Sequence, residues 1–522
     1  MKRHSFITRL ASLAVVCGLT LAFASCANDD LAQNGKTSTD DKGLTAFSTG
    51  EPATRTTMEA DGKFYWEAGD KIWVKDDSGN WKQSSNSPTG KTASFKFLMP
   101  GKYTAKSSYE VYYPGKNGNQ DKVKISDKQK QTEPNTTTHF GTSGDCGIAK
   151  ATRNATSHEF EFALDHKAAY LVFQPYTSNT ILNKCYLMKI EVTSDNDITS
   201  TSTYTLDPTA DTGAGALTGT GNGKQIVLET KGSGAYANGF PLTNTSASLT
   251  TNGAYMVIKP GTHTLRIRYW IKDKVTGTEG TITKIIASHN FMKNEYVNII
   301  SNLDVRVYDG NNYYMWDAQQ QYWYGYEWTH GNATWQPTIE KGRTGWTISP
   351  YYPQSNTDNR YYHEGVAPGK FDANQSCSGL PNVNEMNWYA HQGDPHWDDD
   401  EIWTTMGHLY KGGMWFKKHD KITGYSKVTT YWGFDFRTMR RSTENSNVTI
   451  GVPSVTKAND YFYLPALGGY TYGYLYGMGG GYYWSSSATP GSDAAYYMRF
   501  SRSSVAVDQC NRTFGYNVMP FE

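Results

Sequence analysis

The sequence predicts a mainly β protein from its composition, the spacing of its apolar residues and the placement of its turn residues. Its 522 residues include 38 Tyr, 15 Trp and 50 Gly, and only 19% are charged, a balance that favours strands and loops over helices. Apolar residues recur at every second position, which is the period of a half-buried strand. Clusters of Gly, Asn, Ser and Thr separate these runs, as turns do in antiparallel sheets.

The start of the chain has the parts of a secretory signal peptide. Lys2, Arg3 and Arg9 precede or flank an apolar run over residues 10–23, and small residues lead up to Cys26. The run is too short to cross a bilayer comfortably, since a membrane helix needs about 20 apolar residues. A basic start, a short apolar stretch and small residues before the break indicate export.

The segment ending in Cys26 resembles the lipobox of bacterial lipoproteins. The resemblance implies that residues 1–25 are removed as the signal peptide and that the acylated Cys26 becomes the new N-terminus. Asp29 and Asp30 resemble the export signal of surface lipoproteins in Gram-negative gut and oral anaerobes. We therefore expect a lipid anchor in the cell outer membrane, with the protein exposed at the surface. Residues 26–50 are polar, with few apolar side chains, and predict a flexible tether.

The middle of the chain predicts two antiparallel β-sandwiches. We expect one at 51–175 and another at 176–305, with a seam near Pro175, because two tandem sandwiches fit this length. The alternating apolar positions are Phe160, Phe162 and Leu164, then Tyr186, Met188, Ile190 and Val192, and later Leu265, Ile267, Tyr269 and Ile271.

Four short motifs occur in this region in a fixed order. They are Ala53-Thr54-Arg55-Thr56, the run from Phe64 to Val74, Tyr112-Tyr113-Pro114, and the run from Leu164 to Leu171. Their order over residues 45–305 resembles the fimbrillin-like family, the subunits of type V pili. The resemblance implies two transthyretin-like sandwiches, and it assigns His166 to a structural pattern rather than to a ligand site.

The fimbrillin-like resemblance also implies processing and assembly. Such subunits are trimmed after a basic residue, which points to Arg55, where a Thr-rich tether meets the first strand and proteases have access. Removal of the first strand opens a groove that a neighbouring subunit fills with a donor strand, so other pilus subunits are expected partners. The sequence ends at Glu522 without an evident donor strand, which favours a position at the pilus tip.

The C-terminal region, residues 306–522, has sequence motifs that differ from those of the preceding residues. Pro381 can open a helix whose apolar face includes Val383 and Met386, and the tail contains Gly481-Tyr482-Tyr483-Trp484-Ser485-Ser486-Ser487 and Ala494-Ala495-Tyr496-Tyr497-Met498-Arg499-Phe500. Residues 340–522 resemble the FISUMP-type domain, a relative of C-type-lectin-like folds. The resemblance implies a mixed α+β domain with small sheets, one or two helices and long loops.

Two features of this region are candidate binding elements, each with a plainer alternative. The run from Asp394 to Glu401 ends in four consecutive acids and is expected in a loop, where the acids either supply oxygens to Ca²⁺ or are simply solvated. The expected ligand-binding residues are Trp397, Asp398, Asp399 and Asp400, and substitution of Trp397 would test them. The aromatic cluster at 313–335 either fills a hinge between domains or keeps one or two rings exposed for stacking. A Glu133-Pro134-Asn135 tripeptide, a lectin-like calcium motif, lies outside the lectin-like region.

Catalysis and nucleic-acid binding are not expected. The chain has no nucleophile, metal or phosphate-binding motif, and Cys377 and Cys510 are not in metal-ligand spacing. The net charge is +1 with no basic block, which disfavours nucleic acid. After the signal and Cys26, four cysteines remain, which allow three connectivities. Cys146–Cys185 and Cys377–Cys510 are one guess.

The sequence therefore favours a tip or accessory adhesin of a type V pilus that binds a host or environmental glycan or protein through its C-terminal domain. The alternative is a freestanding surface lipoprotein with the same domains that binds such a ligand without assembling into a pilus.

Overall fold

The computed structural model describes residues 43–49, 57–58, 64–200, 203–274, 277–332, 334–338, 348–365 and 370–522. The expected signal peptide 1–25, Cys26 and Arg55 lie outside the described residues. The chain divides into two compact units. The first unit comprises the described residues up to Thr177 together with Leu187–Leu265 and Ile286–Asn302, and the second comprises Ser178–Tyr186, Arg266–Ile285 and Leu303–Glu522.

The structure is mainly β, which confirms the predicted fold class. Described residues before 303 form strands β1 to β22 and two one-turn helices: β1 Leu44–Thr49, β2 Thr57–Met58, β3 Phe64–Tyr65, β4 Trp73–Lys75, β5 Trp81–Gln83, β6 Lys96–Pro100, β7 Ser108–Tyr113, β8 Lys122–Val123, β9 Lys128–Lys130, α1 Phe140–Ser143, β10 Gly147–Arg153, β11 Phe160–Phe162, β12 Asp165–His166, β13 Ala169–Tyr176, β14 Tyr186–Ser194, β15 Tyr204–Asp207, β16 Ala216–Thr218, β17 Gln225–Glu229, β18 Phe240–Pro241, α2 Leu249–Asn252, β19 Ala254–Ile258, β20 Gly261–Lys272, β21 Glu279–Phe291 and β22 Tyr296–Asn302.

The rest of the chain forms strands β23 to β35 and one longer helix: β23 Arg306–Tyr308, β24 Tyr313–Tyr314, α3 Val383–Gln392, β25 His396–Thr405, β26 His408–Lys417, β27 Thr443–Asn445, β28 Thr449–Ile450, β29 Tyr461–Pro465, β30 Gly469–Thr471, β31 Tyr474–Tyr476, β32 Gly481–Ala488, β33 Ala494–Phe500, β34 Val505–Asn511 and β35 Tyr516–Asn517. Short 3-10 turns occur at Leu182–Lys184, Asp211–Gly213, Gly234–Tyr236, Trp328–His330, His419–Lys421, Phe436–Thr438 and Val455–Asp460. No helix among the described residues is long and apolar enough to cross a membrane.

An eight-stranded sheet forms the N-terminal part of the first unit. Its order is β5-β4-β7-β10-β11-β1-β6, and β12 pairs with β10. Strand β1 is internal to this sheet because it pairs with β6 on one side and β11 on the other. The buried side chains of the sheet meet in one core, which contains Phe47, Trp66, Ile72, Val74, Phe97, Met99, Tyr109, Val111, Tyr113, Phe160 and Phe162.

The seam expected near Pro175 is not present. Pro175 lies inside β13 and pairs with Ser301 of β22 in a three-stranded sheet of order β19-β13-β22. Strands from before the seam also pair with strands from after it, since β8 joins β15 and β9 joins β17. The sandwich boundaries 51–175 and 176–305 are therefore corrected. These pairings join residues 122–130 to strands that come much later in the chain. Apolar alternation within one strand shows which face is buried but not which distant strand it pairs with.

The second unit contains two main strand groups and the helix predicted after Pro381. Strands β29, β26 and β25 are consecutive neighbours, and a six-stranded sheet has the order β24-β35-β32-β33-β34-β27. Helix α3 begins after Asn382, whose side chain accepts the amides of residues 384 and 385, while Glu385 reaches back to the Asn382 amide. This capping box satisfies the first backbone donors of the helix. Pro381 thus precedes the N-cap rather than opening the helix.

The aromatic cluster at 313–335 belongs mostly to the core of the second unit. Tyr313, Tyr322 and Trp323 are buried there with Trp403 and Tyr470. The rings meet edge-on or stacked at centroid distances between 4.8 and 5.8 Å. These residues therefore pack in a core and are not exposed for stacking. Tyr324, in the same cluster, keeps 53% of its surface exposed.

Candidate functional site

Strand β1 completes the N-terminal sheet although it was expected to be part of a tether. Residues 44–49 of the expected tether at 26–50 instead form a strand, which pairs antiparallel with β6 from Leu44 opposite Pro100 to Ser48 opposite Lys96. On the other side, residues 47–49 pair in parallel with β11. Its side chains alternate, with Phe47 and Thr49 buried. The strand is short and has one large apolar residue on its buried face, which explains why its composition resembles a tether.

Phe47 is the anchor of β1 in the core. Its ring is fully buried and stacks on Phe160 at 4.8 Å, while Tyr103 meets it edge-on at 5.2 Å. Burial of a Phe side chain contributes roughly 1.5–3 kcal/mol relative to an exposed one. If β1 were absent, an apolar groove lined by aromatic rings would open between the edges of β6 and β11.

Polar contacts at the end of β1 hold it to both neighbouring segments. The Thr49 amide donates to the Phe95 carbonyl at 3.1 Å, and the Phe95 amide donates to Thr49 Oγ1 at 2.8 Å. Ser48 Oγ donates to Glu159 Oε2 at 2.6 Å, and Lys96 Nζ lies 2.6 Å from Glu159 Oε1. Partial burial would raise the pKa of Glu159, but the hydrogen bonds from Lys96 and Ser48 hold it below its usual range.

The acidic run of the second unit lies on a strand rather than in the expected loop. Asp398, Asp399 and Asp400 belong to β25, where the pairing with β26 is interrupted by a register shift between Asp398 and Ile402. Trp397 is 5% exposed and packs in the core around α3. It therefore presents no open ring face to a ligand. The expectation that Trp397 is exposed for ligand binding is wrong.

Each of these acids contacts a cation; Arg268 and Arg502 are distant in sequence, whereas Lys411 lies on the adjacent strand β26. Asp398 Oδ1 lies 2.9 Å from Arg268 Nη2, and Asp399 accepts Trp397 Nε1 at 2.6 Å and Arg502 Nε at 3.1 Å. Asp400 lies 3.5 Å from Lys411 Nζ. Within the described ranges no group of His, Cys, Asp and Glu could hold a metal ion. The carboxylates thus take part in ion pairs and hydrogen bonds with these side chains.

Glu401, the last acid of this run, is also buried. Burial raises its pKa, while Arg306 and the hydroxyl of Thr283 act in the opposite direction. Thr283 Oγ1 donates to Glu401 Oε2 at 2.7 Å. The partners Arg268 and Thr283 belong to the hairpin segment 266–285, so the compact second unit is larger than the expected domain 306–522.

The four cysteines among the described residues are free thiols. Cys146, Cys185, Cys377 and Cys510 are each unpaired in the structure, so the guessed bridges Cys146–Cys185 and Cys377–Cys510 are not formed. Cys377 Sγ instead accepts the Asp317 amide at 3.2 Å. Burial raises the pKa of all four thiols, which disfavours the reactive thiolate form.

Two other residues singled out from the sequence are occupied by internal contacts. His166 is buried and its Nδ1 lies 2.8 Å from Asp145 Oδ1, which also accepts the Tyr170 hydroxyl at 2.5 Å. Asn135 Oδ1, in the Glu-Pro-Asn tripeptide, accepts the Tyr255 hydroxyl at 2.6 Å. Both side chains take part in packing networks of the first unit.

A polar cleft and an exposed aromatic turn lie beside α3, and neither was predicted from the sequence. The cleft has a volume of about 340 Å³ and is lined in part by Asp372, Glu385, Lys427 and Arg437. The turn at 430–434 exposes Trp432 and Phe434. A Gly between two aromatics is the one local signal for it, because Gly433 adopts a positive φ of 83° that a tight turn requires.

No family model and no curated protein matches the sequence. Three solved structures illustrate the similarities found. A candidate cell adhesion protein from Bacteroides uniformis is 16% identical, with 46% of this chain and 84% of that chain covered and a TM-score of 0.25. The fimbrial anchor protein Mfa2 from Porphyromonas gingivalis is 13% identical over 46% and 82%, with a TM-score of 0.21. A fimbrial protein from Bacteroides ovatus is 10% identical over 91% and 98%, with a TM-score of 0.24. TM-scores this low assign neither a family nor a function.

Proposed function

We propose that this protein is a surface lipoprotein that serves as a tip or accessory adhesin subunit of a type V pilus. The observation that carries the proposal is the position of β1. It is an internal strand of the N-terminal sheet and the first strand of the described residues, and Arg55 follows its last residue, Thr49, by six positions.

Cleavage after Arg55 would leave β1 bound to the sheet by non-covalent contacts alone. Loss of the strand would expose the edges of β6 and β11 and the aromatic pocket around Phe160. An unpaired edge with a hydrophobic groove is a template for an added strand. The occupant that fits is an extended segment of a second subunit with a large apolar residue at the position of Phe47.

The same geometry gives β1 a role before assembly. While β1 is in place, both neighbouring strand edges are paired and the core is closed, so the exported precursor has no open edge there. Removal of the strand then converts a closed subunit into one that accepts a donor. Anchoring through an acylated Cys26 would keep the precursor at the membrane until this step.

The assignment of ligand binding to the second unit rests on its exposed features. Loops on a rigid scaffold are where binding residues concentrate, and the aromatic turn at 430–434 is held by α3. The ligand is a host or environmental glycan or protein, and the first unit serves assembly.

The proposal is tested with an Arg55→Ala variant in the native bacterium. We expect the variant to keep residues 44–49 and to be missing from sheared pili, because β1 stays covalently attached and returns to its groove. Lys124→Ala, which removes an exposed basic residue of the same unit, is the matched control and should enter pili normally. A variant that assembles as well as the wild type, or a wild type confined to the cell surface with β1 intact, would contradict the pilus role and favour a freestanding lipoprotein.

A further inference from the structure

We propose that the cleft at the start of α3 and the aromatic turn that follows it form a binding site for a neutral oligosaccharide. The inference rests on the proposed adhesin function and names the chemical class of its ligand. Trp432 and Phe434 supply stacking faces, and the cleft supplies hydrogen-bonding groups. The two features belong to one segment, residues 426–437, whose ends both reach the cleft.

The exposure of the turn is unusual for its residue types. Trp432 is 42% exposed and Phe434 is 56% exposed, and nearby Val428 is 61% exposed. Among the residues with described burial, they are the Trp and the Phe with the most exposed surface. Large aromatic side chains left open on a folded surface mark binding sites more often than chance placement.

Backbone hydrogen bonds close the turn, and ring contacts position Trp432. The Thr430 amide donates to the Phe434 carbonyl at 2.8 Å, and the Gly433 amide donates to the Thr430 carbonyl at 2.9 Å. Trp432 packs against the Tyr431 ring at 4.0 Å and the His391 ring at 4.7 Å. Because the Trp432 ring is already positioned, little side-chain conformational entropy is lost when a ligand stacks on it.

Helix α3 fixes the whole segment from one end to the other. Near its start, Asn382 Nδ2 and Asn384 Nδ2 donate to the carbonyls of Lys427 and Val428 at 2.9 and 2.8 Å. Further along, Trp388 Nε1 donates to the Thr429 carbonyl at 2.8 Å, and His391 meets Trp432. At 1.5 Å per residue, the distance along the helix from residue 384 to residue 391 is roughly 10 Å. A ligand that uses both ends must therefore be longer than a single small ring.

The cleft favours a polar ligand without strong net charge. Its volume of about 340 Å³ lies within the range of small-molecule sites. Two carboxylates, Asp372 and Glu385, face two cations, Lys427 and Arg437. Arg437 is bound by Asp435, and the pKa of its guanidinium is raised by that hydrogen bond and by the nearby carboxylates. The charges are balanced inside the site, so no cationic surplus is left to attract an anionic ligand.

The backbone donors at the start of α3 are also engaged. The capping box of Asn382 and Glu385 satisfies them, so this helix end does not act as an anion site. A ligand with hydroxyl groups that both donate and accept matches a lining of carboxylates and cations. A pyranose ring adds an apolar C–H face that stacks on Trp or Phe. Among polar ligands, a neutral oligosaccharide combines these two properties.

The test is binding of the full-length protein to an array of neutral, sialylated and sulphated oligosaccharides, followed by calorimetric titration with the strongest neutral binder. We expect neutral glycans to bind, Trp432→Ala to weaken binding by at least about tenfold, or about 1.4 kcal/mol, and Asp372→Asn to weaken it as well. Tyr324→Ala, which removes another exposed aromatic of the same unit, is the control and should bind as the wild type does. Trp432 and Asp372 are exposed, so circular dichroism should show both variants folded.

Failure of this inference is distinct from failure of the pilus role. Binding of no glycan, binding only of anionic glycans, capture of a protein ligand alone, or equal binding by Trp432→Ala would each overturn the oligosaccharide site. Incorporation of Trp432→Ala into sheared pili is read separately. We expect it to match the wild type, because the turn is remote in sequence from β1 and belongs to the other unit.

Discussion

The two units of this protein are stabilised in different ways. In the first, regular strand pairing around one aromatic core holds the N-terminal sheet, and the least conspicuous strand, β1, closes it. In the second, long-range side-chain contacts hold irregular segments, as when Arg512 donates to the carbonyls of His363 and Gly365 at 2.7 and 2.6 Å. The two units should therefore lose stability at different places, the first when strand β1 is weakened and the second when a buried ion pair is broken.

The largest effect is expected from breaking a buried pair of the second unit. Arg268→Ala leaves Asp398, which is 1% exposed, without its guanidinium partner at 2.9 Å. Removal of one partner of a buried ion pair costs about 3–5 kcal/mol. We expect a large drop in the thermal stability of the second unit by calorimetry. Lys411→Ala, which breaks the exposed pair with Asp400, should cost less than about 1 kcal/mol. Equal costs for the two variants would contradict this account.

A smaller effect is expected from weakening β1. Phe47→Ala removes the ring that stacks on Phe160 and should destabilise the docked strand by about 3 kcal/mol, the lower end for buried Phe truncation, since a terminal strand can detach locally. Hydrogen exchange should then accelerate at the amides of β6 and β11 while the second unit keeps its protection. Ser48→Ala is the control because it removes one partly buried hydrogen bond. Unchanged exchange at β6 would mean that β1 does not close this sheet.

The predictable part of the fold is the part that local pattern determines. Period-two spacing predicted strands, and Pro381 with Val383 and Met386 predicted a helix within two residues of where α3 begins. Strand β1 was missed because Phe47 is its only large buried residue, and a hexapeptide of Leu, Ala, Phe and three hydroxyl residues shows no strict apolar alternation. The acidic run was misplaced because its partners Arg268 and Arg502 lie about 100 residues or more away. Trp397 and Trp432 both stand among polar and aromatic neighbours, so only tertiary contacts decide which one is exposed.

The smallest effect concerns pH, and it should occur in both units. Burial lowers the pKa of His139 in the first unit and of His391 in the second to about 4. In the unfolded chain both histidines bind a proton as the pH falls below about 6.5, whereas in the folded chain these two side chains stay neutral until the pH approaches 4. Stability should therefore be full above about pH 6.5 and fall as the pH decreases toward 4. His391→Phe should reduce this loss, measured as the difference in melting temperature between pH 7 and pH 5. An acid-induced loss that is unchanged in the variant would rule out a contribution from His391.

The central claim, that β1 is removed so that another subunit can replace it, is tested most directly by the N-terminus of the assembled protein. Pili sheared from the cells are purified, and the mature chain within them is identified by intact mass and N-terminal peptide mapping. We expect a chain that begins at Thr56, with residues 44–49 absent. A chain in purified pili that begins only at an acylated Cys26 and retains residues 44–49 would contradict it.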